Sequence, residues 1–189
     1  MAVVGWTMAF HSVFPDVDFE DSAPASTDLV CMLVAFMRPS VVVEAGTHRG
    51  RTALAMANIM RALGVTGRVH TADPEDRISE TLAHPEIACL LPFLRYHQGD
   101  FLEMLDGIED KVDLAYIDAS APDDPLMRWR HAKAVHARLR GGGLILVDDT
   151  EGDWEAAEWL RSWADDDGIH LSQQRGLTII QKRDVPWRL

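Results

Sequence analysis

The stretch VVVEAGTHRG, residues 41–50, decides the fold. Val41-Val42-Val43 is a short β-branched run, the pattern of a strand buried on both faces. A turn bearing Gly46 and Gly50 follows. Beyond it Met56, Ile59, Met60 and Leu63 recur at helical spacing until Gly64 stops them. Strand, glycine turn and helix in that order make the first half of a βαβ unit, which requires a parallel sheet.

The same alternation extends in both directions. Upstream, Leu29, Met32, Leu33 and Phe36 are spaced as one face of a helix, which Ser26 or Thr27 is expected to cap and Pro39 to end. Residues 1–24 are irregular and acidic and read as an N-terminal arm or lid; residues 25–189 read as one domain. Downstream, strands are expected at Gly67–Ala72, Leu94–Gln98, Val112–Ile117 and Leu144–Val147, and helices over 75–91 and 125–139. Gly141-Gly142-Gly143 is expected to break the second of these helices. A further helix carries Ala156, Trp159, Leu160 and Trp163, which favours core packing for those tryptophans over a substrate wall with Trp154. Runs at His170–Gln173 and Leu177–Gln181 suggest a closing hairpin, after a solvated turn at Asp165-Asp166-Asp167-Gly168. The expected fold class is α/β: a Rossmann-like, mostly parallel seven-stranded sheet, helices on both faces, and a C-terminal antiparallel hairpin.

Composition narrows the partners. Thirty Asp and Glu against eighteen Lys and Arg give a net charge of −12. Such a surface repels phosphate backbones and anionic membranes, so neither nucleic acid nor membrane is an expected partner. No apolar run is long enough to span a bilayer, and Met1–Phe10 lacks the basic start of a signal peptide, so a cytoplasmic location is expected. Cys31 and Cys89 form no metal or disulfide pattern and read as two buried thiols.

Ligands of open α/β sheets bind beyond the carboxyl ends of the strands. Here those ends carry Glu44 to Gly46, Asp73, Gly99-Asp100, Asp118 and Asp148-Asp149. An acid or glycine at every end is the strongest functional signal in the chain. Glu44 two residues before Gly46 disfavours a pyrophosphate and suits a cationic or hydroxyl-bearing ligand. An acid closing the second strand, Asp73, suits ribose hydroxyls, and Asp100 suits an adenine amino group. Together they describe a site for a positively charged nucleoside.

In four ordered stretches, VVVEAGTHRG (41–50), VHTADP (69–74), VDLAYIDAS (112–120) and LRGGGLILVDDT (139–150), the chain resembles class I S-adenosylmethionine-dependent methyltransferases. Within them it is most similar to small metal-dependent O-methyltransferases, of the catechol O-methyltransferase type and the cephalosporin-hydroxylase-like group. The resemblance implies that Gly46, Thr47, His48, Gly50 and Thr52 shape the loop around the methionine part of S-adenosylmethionine, with Glu44 supporting that loop or the ammonium. It implies that Asp73 binds the ribose, and that Gly99, Asp100 and Phe101 line the adenine pocket. Asp21 and Ser22 align with a segment that covers the cofactor near its sulfonium, and Asp118 borders the same pocket. Asp118, Asp148 and Asp149 match the ligands of Mg²⁺ or another divalent cation, an all-oxygen set that suits such an ion. The implied reaction is methyl transfer to a hydroxyl of a small molecule, a phenol, catechol or sugar, with Asp118 and His48 as catalytic candidates. A homodimer is an assembly the resemblance allows.

One departure stands out. Relatives often place a Lys or His base three residues after the metal aspartate, and here that position is Ala121. The metal alone, or Asp123, His11 or His48, would have to substitute; otherwise the chain is a cofactor-binding pseudoenzyme or partner subunit. His131 and His136 read as helix-surface residues. A nicotinamide dehydrogenase would want Gly-x-Gly-x-x-Gly after the first strand, which is absent. An adenine-modifying methyltransferase would carry an Asp/Asn-Pro-Pro-aromatic motif where this chain has Asp118-Ala119-Ser120.

Overall fold

The structure, a computed structural model, describes residues 24–119, 124, 126–150, 167–171 and 176–183. Seven strands form one sheet: β1 (Val41–Ala45), β2 (Arg68–Asp73), β3 (Leu94–Gln98), β4 (Val112–Ile117), β5 (Leu139–Asp148), β6 (Asp167–Leu171) and β7 (Leu177–Gln181). Their spatial order is β3-β2-β1-β4-β5-β7-β6. The first five are parallel and the last two pairings antiparallel, as the sequence pattern predicts. The chain leaves β1 toward β2 on one side and returns to β4 on the other, so the strand order reverses at β1 and opens a crevice there.

Period-two alternation splits β1 between two cores. Val41, Val43 and Ala45 join the layer under α4 (Phe101–Asp106) and α5 (Met127–Arg138). Val42 faces the other layer, under α1 (Pro24–Met37) and α2 (Arg51–Leu63). Glu44 shares Val42's parity, so this face carries a carboxylate at its upper end. Glycines bracket α2: Gly50 and Gly64, both with positive φ, stand just before and after it.

Several expectations are corrected. α1 exists, but it buries Val30, Cys31 and Val34, leaving Phe36 90% and Met32 47% exposed. Ser26 and Thr27 lie within its first turn and point inward instead of capping it. The expected helix over 75–91 is a short α3 (Ser79–Leu82) followed by a 3-10 segment, Pro85–Phe93, in which Pro92 lacks the N–H a regular helix needs. Gly141–Gly143 do not separate helix from strand. They lie inside β5, where the register against β4 shifts, and Gly142 takes a φ of +74°. The hairpin strand starts at Asp167, so Asp167 and Gly168 belong to β6 and not to a turn. Cys31 is buried as expected, whereas Cys89 is exposed. Residues 1–23, including His11, Asp21 and Ser22, lie outside the described residues, as do Ala121, Asp123 and the helix expected around Trp154 to Trp163. No helix among the described residues is long and apolar enough to cross a membrane.

One buried acid fastens the bottom of the sheet. The Asp113 carboxylate on β4 accepts the Ser40 and Val41 N–H groups at 2.5 and 3.0 Å and pairs with the Arg140 guanidinium at 2.9 Å. It thereby joins the start of β1 to β4 and β5. Asp113→Ala strands these donors and is expected to cost about 3 kcal/mol, read as a lower midpoint in urea unfolding. A loss under about 1 kcal/mol would show that the anchor contributes only an ordinary hydrogen bond.

Candidate active site

The glycine loop follows β1 directly. Gly46, at φ +94°, donates its N–H to the Ala72 carbonyl at 3.0 Å. A Cβ on Gly46 would sit 2.7 Å from the Asp118 carbonyl oxygen, a clash with backbone that cannot move aside. Only glycine therefore lets the loop rest on the end of β4. His48 occupies the left-handed region at φ +47°, which costs a non-glycine residue about 1 kcal/mol or more. What holds it is Asp73: one oxygen accepts the His48 N–H and the other the Glu75 N–H, both at 2.9 Å. Asp73 thus ties the loop after β1 to the end of β2, and its remaining lone pairs stay available for a hydroxyl-bearing ligand.

Beneath the loop lies a buried polar chain. Glu44 is 1% exposed and accepts from the Thr71 hydroxyl at 2.5 Å; the Thr47 and Thr71 hydroxyls are also 2.5 Å apart. Burial pushes the Glu44 carboxyl up to about 8, against the pull of the Thr71 bond, and Asp118 and Asp73 push the same way. Thr52, at the start of α2, meets Thr27 of α1 at 3.1 Å. This hydrogen bond couples the two helices beside the loop.

The third strand end is built around a cap. Asp100 accepts the Leu102 and Glu103 N–H groups with one oxygen, at 2.7 and 3.2 Å, and so starts α4. Phe101 is buried, its ring centroid 4.8 Å from that of His131 on α5. His131, expected on the surface, is 5% exposed. Its Nδ1 is buried without a hydrogen-bond partner, and burial lowers its pKa.

At the ends of β4 and β5 a tyrosine intervenes. The Tyr116 hydroxyl donates to Asp148 Oδ2 at 2.6 Å and lies 3.4 Å from Asp118 Oδ2 and 3.1 Å from Ser26 Oγ of α1. Burial, then Asp118 and Asp148, holds its pKa well above the ordinary value. Arg128 of α5 donates to the Asp148 and Asp149 carbonyl oxygens, the former at 3.2 Å, and Asp149 takes the left-handed backbone conformation at φ +59°.

A family model described as a methyltransferase domain matches residues 43–150, more than half of the chain and the whole run from the glycine loop to Asp149. The chain belongs to this methyltransferase family. No curated protein matches it. Among solved structures it is similar to the O-methyltransferase TomG from Streptomyces achromogenes, involved in tomaymycin synthesis and solved with SAM. They share 20% identity over 97% of this chain and 90% of that one, with a TM-score of 0.66. The SAH-bound Podospora anserina methyltransferase shares 18% identity over 96% and 88% of the two chains, with a TM-score of 0.71. The O-methyltransferase from Bacillus cereus, in complex with SAH, shares 17% identity over 95% and 90%, with a TM-score of 0.68. At these identities the likeness extends to the fold.

Within this methyltransferase the expected site residues separate into two groups. Glu44, Gly46, Thr47, His48, Gly50 and Asp73 come together around one loop. Gly99 is fastened to the same strand ends through its N–H to the Asp73 carbonyl at 2.9 Å, which sets Asp100 and Phe101 next to them. The expected metal set does not assemble. Among the described residues, no three His, Cys, Asp or Glu side chains gather as a cation site. Asp148 Oδ1 accepts the Asp149 N–H at 3.0 Å and Oδ2 accepts the Tyr116 hydroxyl, so both its oxygens face protein donors. Mg²⁺ holds its oxygen ligands at ~2.0–2.1 Å, and the donor set present does not fit it, because the Tyr116 hydroxyl stands against Asp148 Oδ2 and near Asp118 Oδ2 where the ion would have to sit. Sequence reasoning missed Tyr116, Thr71, Ser26, Arg128 and His131. A usable signal existed for two of them: Tyr116 and Thr71 stand two residues before Asp118 and Asp73 and so share their faces.

A carboxyl with a higher pKa folded than unfolded takes up a proton on folding. The stability that Glu44 lends is therefore full below its ordinary value of 4.5 and drains as pH rises to about 8. Glu44→Gln keeps an acceptor for Thr71 and removes the titration. Between those limits wild-type stability should fall relative to Glu44→Gln, by at most about 1.4 kcal/mol per pH unit. Denaturant melts across pH test this, and parallel curves would place the Glu44 pKa near its ordinary value.

Proposed function

We propose that the protein is an S-adenosylmethionine-dependent methyltransferase that methylates a hydroxyl of a small molecule. We also propose that it works in the cytoplasm and that one domain over residues 25–189 carries the activity. The observation that carries this reading is the loop of Gly46 to Gly50, pinned by Asp73 above the buried Glu44 at the crevice between the ends of β1, β2 and β4. Solved methyltransferases that share the fold hold SAM or SAH, which supports the choice of cofactor. The net charge of −12 supports a small acceptor over a nucleic acid.

Bound S-adenosylmethionine supplies an electrophilic methyl group on a positively charged sulfur. The chain's own contribution is binding, orientation and charge. Asp73 offers lone pairs to the ribose hydroxyls while its backbone bonds fix the loop. Asp73 and Asp118 give the pocket a negative bias that favours a cationic ligand, and such a ligand in turn draws the buried Glu44 toward its ionised form. Asp118, at the end of β4, is the residue this reading assigns to the acceptor side. Methyl transfer would join the acceptor oxygen to the methyl carbon, leave the electron pair of the carbon–sulfur bond on sulfur, and release the hydroxyl proton to water. Holding both partners in one orientation supplies much of the rate. Magnesium assistance, which the resemblance implies, is not part of this proposal, because Asp148 is engaged by Tyr116 and by the Asp149 N–H.

Calorimetric titration of S-adenosylhomocysteine into the protein tests the reading. Micromolar binding is expected. Asp73→Ala should weaken it at least about tenfold, since removing a charged hydrogen-bonding partner costs ~1.5–3 kcal/mol. Absence of binding to the wild type would sink the methyltransferase reading. Binding without turnover across phenol, catechol and sugar acceptors would point to the pseudoenzyme instead.

A further inference from the structure

The ends of β4 and β5 are where the resemblance implies a cation, and the structure puts a hydroxyl there. Ile117 pairs with Val147 in the parallel register, so Asp118 and Asp148 stand side by side at the next position. Tyr116 shares the face of Asp118, two residues along the strand. Its ring is fully buried in the core beneath α1 and α2, and its hydroxyl rises between the two carboxylates.

We propose that the Tyr116 hydroxyl takes the place a divalent cation would need between Asp118 and Asp148, so that this protein binds no such ion there. Tyr116 is then a positioning residue for the two carboxylates. Three contacts carry the inference. The hydroxyl is 2.6 Å from Asp148 Oδ2 and 3.4 Å from Asp118 Oδ2, and so fills the space between them. Ser26 Oγ, 3.1 Å away on α1, holds the phenol oxygen from the helix side. The second oxygen of Asp148 is turned to the Asp149 N–H at 3.0 Å. An ion in this place would have to displace a buried phenol whose ring has no other space in a close-packed core. A neutral hydroxyl satisfies a buried carboxylate without bringing a second desolvated charge. The inference rests on the methyltransferase reading only for naming this the acceptor side of the site.

The test is calorimetric titration of Mg²⁺, and of Mn²⁺ as the tighter-binding probe, into wild-type protein, Tyr116→Phe and Asp118→Asn. Each is run with and without S-adenosylhomocysteine. The wild type is expected to show no saturable one-site binding through the millimolar range. Tyr116→Phe removes the hydroxyl but keeps the ring, and is expected to gain Mn²⁺ affinity by about tenfold or more. One ion per wild-type chain, lost in Asp118→Asn, would overturn the proposal. Equal absence of binding in the wild type and in a folded Tyr116→Phe would overturn the role given to Tyr116. Should Tyr116→Phe fail to fold, the wild-type and Asp118→Asn titrations still decide whether an ion binds. S-adenosylhomocysteine affinity, read in the same cells, reports separately on the cofactor reading.

Discussion

The contact between the backbone after β1 and the end of β4 is the constraint from which the site follows. Gly46 rests on the Asp118 carbonyl closely enough to exclude any side chain. The Asp118 N–H meanwhile bonds Ala45 at 2.9 Å, and the Gly46 N–H bonds Ala72 at 3.0 Å. Three strand ends are thereby stitched at one level. That fixed level lets the Asp73 carboxylate reach the His48 N–H. It also leaves Glu44 sealed below the loop and sets Asp118 at the mouth of the crevice. A side chain at residue 46 would lift the loop and separate all of these at once.

Among the described residues, carboxylates and hydroxyls cluster at the upper ends of β1, β2, β4 and β5: Glu44, Thr71, Asp73, Tyr116, Asp118 and Asp148. Glu44, Tyr116 and Cys31 are all held toward their neutral forms by burial first, with nearby acids adding to it. Protonated groups can donate as well as accept hydrogen bonds, as the Tyr116 hydroxyl does toward Asp148. The same concentration of acid favours a ligand that brings positive charge.

The parallel sheet was legible because Val41–Val43 and Leu144–Val147 are apolar throughout and Val112–Ile117 is so apart from Asp113, the pattern of strands covered on both faces. The glycine loop and Asp73 were legible because their roles depend on backbone position at a strand end. Where side chains compete, the reading failed. Leu29, Met32, Leu33 and Phe36 have helical spacing, but the fully buried face is that of Val30, Cys31 and Val34; Leu29 and Leu33 pack at its edge, and Met32 and Phe36 are exposed. Gly141–Gly143 read as a break, since sequence does not distinguish a turn from a bulge that Gly142 accommodates at positive φ. Asp118, Asp148 and Asp149 match a ligand set by type. What a carboxylate holds depends on its neighbour in space, and Tyr116 was read only as part of an apolar strand. The burial of His131 was hidden for a similar reason: its partner, Phe101, lies thirty residues away on another helix.

The two thiols differ by position alone, and the difference is a practical one. Cys89 lies exposed on the 3-10 segment beside β3. Cys31 lies on the buried face of α1, its thiolate suppressed by burial and by the carboxylates of Asp28 and Glu44. In the native chain, alkylating reagents and dyes therefore reach one sulfur among the described residues. A fluorophore can be attached at Cys89 without altering the sequence. The slower reaction of the other sulfur then becomes a clock for openings that expose the buried face of α1.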